Sequence, residues 1–200
     1  MRAEGLVVGT SGNISVRGDG DLVAVSPSGL DYDEMTPDLV GVHRLDGSPV
    51  DAPLLPTTEM AMHLAVYART DARAIVHTHS TSATVLSTLM DEVPPIHYLI
   101  AMFGGPVRVA SYATYGTPEL AASVIRALEG RTACLLANHG AITYGETLAG
   151  AYSQAVHLEW ICDVYLRASA GAPRLLPSEE IEKVRERLTA YGPAPTPGDG

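Results

Sequence analysis

Two histidines, His77 and His79, stand one residue apart at the end of the apolar run Ala74-Ile75-Val76-His77-Thr78-His79-Ser80. In a β-strand residues i and i+2 share a face and lie about 6.6 Å apart along the chain, so the two imidazoles project together. Two rings at that spacing can supply two corners of a tetrahedral zinc site, with bonds of about 2.1 Å, without backbone strain. A third donor must then come from elsewhere. A His-x-His pair alone is more often exposed or satisfied within a core, so the rest of the chain has to decide.

Among the other histidines His139 is the best third ligand. It follows the apolar run Thr132 to Ala137 and precedes Gly140, as expected of a strand delivering a side chain to a sheet edge. His43, His63, His97 and His157 have no such setting and are read as structural. Three further segments, Gly12-Asn13, Ser28-Gly29 and Thr57-Thr58, place small hydrogen-bonding groups in loops or at a helix start. Backbone N–H groups with hydroxyls or a carboxamide can hold phosphate oxygens without any cation. Each segment alone is an ordinary turn or cap, and the phosphate cradle requires that they converge. Glu59 follows Thr58 in the first turn of the same helix, where the helix dipole favours an acid in any case. If Thr58 touches phosphate and His77 begins a metal site, Glu59 lies between substrate and metal.

The elements that must position these groups follow from periodicity and punctuation. Ile14 to Arg17 and Leu22 to Val25 read as a hairpin about Gly18-Asp19-Gly20-Asp21, and Asp46-Gly47 closes another after a turn and strand within Met35 to Leu45. A helix opens at Thr57-Thr58-Glu59 after Pro56, with Met60, Leu64 and Tyr67 at helical spacing. It hands over to the His77 strand. A helix from Ser82 to Met90, a strand over Ile96 to Ile100 and a helix from Thr117 to Gly130 are expected next. Thr147 to Ala170 carries one apolar helical stripe, and Glu179 to Tyr191 is a last helix. Strands and helices mix without a βαβ rhythm. The expected fold is therefore α/β, a three-layer α/β/α arrangement whose central mixed, mostly antiparallel sheet is covered by helices on both faces. Residues 1–192 are expected to form a single catalytic domain, and 193–200 a Pro/Gly-rich flexible tail.

Composition bounds the partners. The 200 residues are 46% hydrophobic and 18% charged, with net charge −10 and a pI near 5.0. Such a field attracts neither nucleic acid nor an anionic membrane. No apolar run reaches the length of a membrane span and Met1-Arg2-Ala3-Glu4-Gly5 lacks a signal-peptide core, so the cytoplasm is the expected location. Cys134 and Cys162 are expected as buried thiols.

The ordered set Gly9-Thr10-Ser11-Gly12-Asn13, Ser26-Pro27-Ser28-Gly29, Pro56-Thr57-Thr58-Glu59, His77-Thr78-His79, Pro95-Ile96-His97-Tyr98, Tyr112-Ala113-Thr114-Tyr115-Gly116 and Asn138-His139-Gly140 resembles the class II aldolase/adducin family. Within it the chain is most similar to the L-fuculose-1-phosphate aldolase branch, from Gly9 almost to Tyr191. The resemblance implies one Zn²⁺ per subunit on His77, His79 and His139, with Glu59 as removable fourth ligand and catalytic acid/base. It also implies a substrate phosphate on Gly12, Asn13, Ser28, Gly29, Thr57 and Thr58. Tyr98 as a second catalytic residue, Tyr115 and Tyr191 would come from a neighbouring subunit of a homotetramer. Tyr115 stands where that branch carries phenylalanine, which implies a different aldehyde preference.

Cleaving a ketose 1-phosphate to dihydroxyacetone phosphate and an aldehyde leaves a carbanion that is stabilised as an enediolate, by a lysine Schiff base or by a Lewis-acid metal. The sole lysine, Lys183, lies in the charged run Glu179-Glu180-Ile181-Glu182-Lys183, where nothing desolvates it, so the metal route is favoured. An L-ribulose-5-phosphate 4-epimerase shares the bond-breaking step, but Glu59 stands where those enzymes carry aspartate, and His97 to Gly105 offers no acid for a second proton relay. A methylthioribulose-1-phosphate dehydratase is disfavoured by the Tyr98 and Tyr115 segments. A non-catalytic adducin-like binding module would lose the metal ligands that this chain keeps. Finally, the apolar residues Ile96, Leu99, Ile100, Met102 and Phe103 exceed what one small domain easily hides, which suggests an intersubunit seam at Tyr98.

Overall fold

The run that ends in His77 becomes a strand buried along its whole length, at the centre of a nine-stranded sheet. The computed structural model describes residues 1–189. In chain order its strands are β1 (Asn13–Arg17), β2 (Leu22–Val25), β3 (Gly41–Arg44), β4 (Pro49–Asp51), β5 (Ala74–Thr78), β6 (Glu92–Val93), β7 (Val107–Ala110), β8 (Ala133–Leu136) and β9 (Gly140–Gly145). Its helices are α1 (Met60–Arg69), α2 (Thr81–Ser87), α3 (Pro118–Ala127), α4 (Leu148–Ala168) and α5 (Ser178–Thr189).

The strands are ordered β4-β3-β2-β1-β5-β9-β8-β7-β6. Each neighbouring pair is antiparallel except β7 with β8, which run parallel. The sheet is thus mixed and mostly antiparallel, as expected. Its central strands feed two cores by strict alternation. Ile75, Cys134, Leu136 and Ile142 pack with Met62, Val66, Leu120 and Val124 from α1 and α3 on one face. Ala74 and Val76 pack with Ala151 and Ala155 of α4, while Ala133, Leu135 and Ala141 meet Leu86, Leu158, Ile161 and Ile181 from α2, α4 and α5 on the other. A strand covered on both faces needs apolar side chains at every position, which is why β5 and β8 read as continuous apolar runs rather than as alternation.

Three expectations change. The strand expected over Ile96 to Ile100 is instead a 3-10 helix, Tyr98–Phe103. Pro94 and Pro95 have no N–H to offer a sheet ladder, and the His97 ring accepts from the Leu99 N–H to start the helical turns. Ile100 and Phe103, three apart, then both point into the core, while Ile96, Leu99 and Met102 pack against it. The apolar excess read as an intersubunit seam is therefore largely hidden within the chain itself, and of the large side chains in that stretch Tyr98 remains exposed. Second, the helix expected to Met90 stops at Ser87. Third, β6, β7 and β9 were not anticipated, and the expected strand before Leu45 is confined to Gly41–Arg44 behind a short 3-10 turn at Pro37–Leu39. Both cysteines are buried free thiols, as expected. Among the described residues no helix is long and apolar enough to cross a membrane.

Candidate active site

His77 is on β5, facing the α1 side of the sheet two residues beyond Ile75. Its register partners are Asn13 on β1 and Ile142 on β9. His79 lies just past the strand, its N–H donating to the Leu6 carbonyl at 3.0 Å. The next residue, Ser80, enters α2, whose first N–H groups at Ser82 and Ala83 donate to the two Glu159 oxygens at 2.8 and 2.9 Å. That carboxylate, reaching over from α4, fixes the exit of the histidine strand.

His139 comes from the three-residue turn between β8 and β9. Asn138 adopts φ 56°, a left-handed conformation that asparagine tolerates better than most residues. Gly140 follows because β9 must pass close to the end of β5, where a Cβ at position 140 would lie 2.1 Å from the Thr78 carbonyl oxygen. The turn brings the His139 ring within 4.9 Å of His77 and 4.8 Å of His79, centroid to centroid. Glu59 at the N-terminus of α1 completes the group, with one ligand atom from each of the four side chains within 4.8 Å of the others.

The chemistry of this donor set asks for a cation. His77 Nδ1 lies 2.9 Å from the Ala141 carbonyl oxygen, which can only accept, so Nδ1 carries the hydrogen. In the neutral ring Nε2 is then a bare lone pair, yet it sits 3.0 Å from Glu59 Oε2 and 3.0 Å from His79 Nε2. Glu59 Oε1 is buried with no hydrogen-bond partner, 3.4 Å from His139 Nε2. Acceptors so crowded repel one another unless a positive charge lies among them. Burial, reinforced by the His77 ring, holds His79 and His139 down at about 4, so both are neutral at pH 7 and available as donors. Burial alone would raise Glu59, but a positive charge at His77, which the ring carries only when protonated, and a hydrogen bond from Asn13 outweigh it and keep the carboxyl well below the usual carboxylate range. Three imidazoles and one carboxylate suit a divalent transition metal.

A cavity of about 430 Å³ opens above these residues. Glu59, His79 and His139 line it together with Gly12, Asn13, Ser28, Gly29, Thr57, Thr58 and Tyr115. The loops are tied together by their backbones: Thr57 N–H donates to the Ser26 carbonyl and Ser28 N–H to the Leu55 carbonyl, at 3.1 and 2.9 Å. The three small-residue segments therefore do converge, and no lysine or arginine is among the lining residues. Tyr98 is not in this cavity. It is half exposed, stacked on His97, whose ring meets Trp160 on α4 edge-on. Tyr191 lies outside the described residues. Lys183 is paired with Glu180 on the surface of α5 and does not line the cavity.

Residues 1–166 match the family model "Class II Aldolase and Adducin N-terminal domain". The chain belongs to the class II aldolase/adducin family. A 5-deoxy-D-ribulose 1-phosphate aldolase of Bacillus thuringiensis is similar to this family member, 40% identical over 96% of this chain and 92% of its own length. The L-fuculose phosphate aldolase of Escherichia coli is 38% identical over 96% of this chain and 90% of its own. A solved L-fuculose 1-phosphate aldolase structure, 42% identical, superposes with a TM-score of 0.88 over 92% of this chain and 88% of that one. The fold is that of a class II aldolase.

The sequence reading missed several groups beside the site. His63, set aside as structural, hydrogen-bonds Asn13, and Ser15 and Tyr67 stand behind it. A signal was present: Glu59, His63 and Tyr67 recur every four residues on α1, a polar stripe on a helix face that should otherwise be apolar. Asn138 and Tyr112 also line the cavity.

Proposed function

We propose that this chain is a metal-dependent lyase that splits a ketose 1-phosphate into dihydroxyacetone phosphate and an aldehyde. The observation that carries this reading is one cavity lined both by Glu59, His79 and His139, behind which the buried His77 completes a four-residue cluster, and by neutral hydrogen-bond donors. A divalent cation, zinc in our reading, supplies electrophilic polarisation of the ketose oxygens when held by His77, His79, His139 and Glu59. The chain's own residues do the rest. Asn13, Ser28, Gly29, Thr57 and Thr58, with Gly12 keeping the loop open, hold the phosphate through N–H and O–H groups and orient the sugar. Gly12 has φ +77°, and a Cβ there would lie 2.9 Å from the His77 carbonyl oxygen. Glu59, beside the imidazoles, moves the proton at the carbon that becomes the enediolate terminus. Tyr98 of a neighbouring subunit in a homotetramer handles the proton on the aldehyde oxygen, and Tyr115 and Tyr191 contact the aldehyde portion.

The substrates for which the two relatives are named, 5-deoxy-D-ribulose 1-phosphate and L-fuculose phosphate, share the ketose phosphate end and differ at the aldehyde end. The substrate of this chain is a ketose 1-phosphate of that kind. The test is selectivity for phosphate. Thr58→Ala should weaken cleavage of phosphorylated ketoses and leave unphosphorylated analogues nearly unaffected, whereas equal losses on both would refute the cradle. In the same assay, mixed subunits of inactive Glu59→Gln and inactive Tyr98→Phe regain activity only if the two residues serve one site from different chains.

A further inference from the structure

Behind the cavity a chain of four hydrogen bonds runs through the protein between α1 and β1. Tyr67 OH and Ser15 Oγ are 2.9 Å apart, Ser15 Oγ and His63 Nδ1 2.7 Å, His63 Nε2 and Asn13 Oδ1 2.6 Å, and Asn13 Nδ2 and Glu59 Oε2 2.9 Å. Asn13, Ser15 and His63 are buried, the histidine completely. The direction of every bond follows from its two ends. The Glu59 carboxylate only accepts, so Asn13 must present its NH₂ there and its carbonyl oxygen to His63. His63 Nε2 therefore carries the hydrogen and Nδ1 accepts, so the Ser15 hydroxyl donates to Nδ1 and in turn accepts from Tyr67. Burial, aided by the neighbouring His77, holds His63 at about 3, and burial pushes the Tyr67 phenol up to about 12, so both stay neutral over the physiological range.

We propose that His63 is a positioning residue for the acid/base step: its Nε2–H, fixed in that tautomer by Ser15 and Tyr67, locks the Asn13 carboxamide between Glu59 and the cavity. One carboxamide N–H grips the acid, and the second is left for the cavity that Asn13 lines. A single buried imidazole thereby couples the aim of Glu59 to the group nearest it in the phosphate cradle. The spacing explains how. Glu59, His63 and Tyr67 lie four residues apart on one helix face, while Asn13 and Ser15 lie two apart on the strand face opposite, so the two stripes interlock. The kinetic consequence rests on the function proposed above, but the hydrogen-bond geometry does not.

The experiment compares ¹⁵N-labelled wild type, His63→Leu and His63→Gln, each loaded with metal. In wild type the ring spectrum should show His63 as the Nε2–H tautomer, and the Asn13 side-chain amide protons should be protected from exchange with water. His63→Leu keeps bulk but removes the donor, so Asn13 protection should fall. Solvent exchange of the dihydroxyacetone phosphate proton should slow about tenfold to a hundredfold, with metal stoichiometry unchanged. His63→Gln, which can still donate to Asn13, should recover most of both, a rescue that loss of packing alone would not give. If His63→Leu does not fold, Ser15→Ala carries the test, because losing the donor to Nδ1 should let the Nδ1–H tautomer appear. An Nδ1–H wild-type ring, unchanged Asn13 protection, a wild-type exchange rate in His63→Leu, or equal impairment in the Leu and Gln variants would each overturn the proposal. A wild-type protein that exchanges no dihydroxyacetone phosphate proton at all would count against the proposed reaction instead, and the tautomer and protection measurements would still decide the role of His63.

Discussion

Glu59 keeps different company at its two oxygens. Oε2 is held by Asn13 and lies 3.0 Å from His77 Nε2, while Oε1, buried and without a hydrogen-bond partner, leans 3.4 Å from His139. A carboxylate so placed can serve as a ligand and still release an oxygen to take a proton, because three imidazoles remain to hold the cation. Glu59→Gln should therefore retain one metal per chain by elemental analysis. The same variant should lose about 10² to 10⁴ of the rate of proton exchange at the enediolate carbon, the usual cost of removing a general base. Exchange at the wild-type rate would move the base elsewhere, and loss of the metal would make Glu59 chiefly a ligand.

The elements that carry these residues meet at close quarters, and Gly140 is the tightest point. A methyl group there would collide with the Thr78 carbonyl between the two histidine segments, and backbone cannot yield as a flexible side chain could. Gly140→Ala should push the β8–β9 turn away from β5, costing several kcal/mol, in the range of other severe steric substitutions. His139 should leave the cluster with it, read as a lower melting temperature together with substoichiometric metal. A stable, fully loaded variant would mean that the turn has more freedom than its geometry implies. Much of this level was legible in the sequence. The unbroken apolar runs of β5 and β8 announce strands covered on both faces, and the glycine after His139 marks the close approach. What was not legible had physical causes. The run from Ile96 to Phe103 suits a strand or a helix equally, and the proline pair and the His97 cap decide it locally. β7 and β9 hide because their neighbours, rather than their own patterns, define them. His63 reads as structural in the sequence because its partners, Asn13 and Ser15, are about fifty residues away along the chain.

At the scale of the whole molecule, the buried neutral histidines set a pH dependence. Burial holds His63 at about 3 and His79 and His139 at about 4, against an ordinary value of 6.5, so below pH 6.5 the unfolded chain binds more protons than the folded one. Stability must then fall as pH drops from 6.5 toward 4. Glu59 acts in the same sense lower down. Its carboxyl lies below the ordinary 4.5, so its contribution is present above that value and disappears as the group protonates. Thermal melts of chelator-stripped protein should shift downward from pH 7 to pH 5, with His63 alone contributing up to about 1.4 kcal/mol per pH unit. A midpoint that is flat or rises on acidification would contradict the neutral-histidine assignment. The measurement that bears most directly on the central claim is release of dihydroxyacetone phosphate from a panel of ketose 1-phosphates, run with the metal-loaded protein, after chelation and after metal is restored. The account predicts release from at least one member of the panel, its loss on chelation and its return with a divalent cation. Release that persists in metal-free protein, or no release from any ketose 1-phosphate with metal bound, would contradict it.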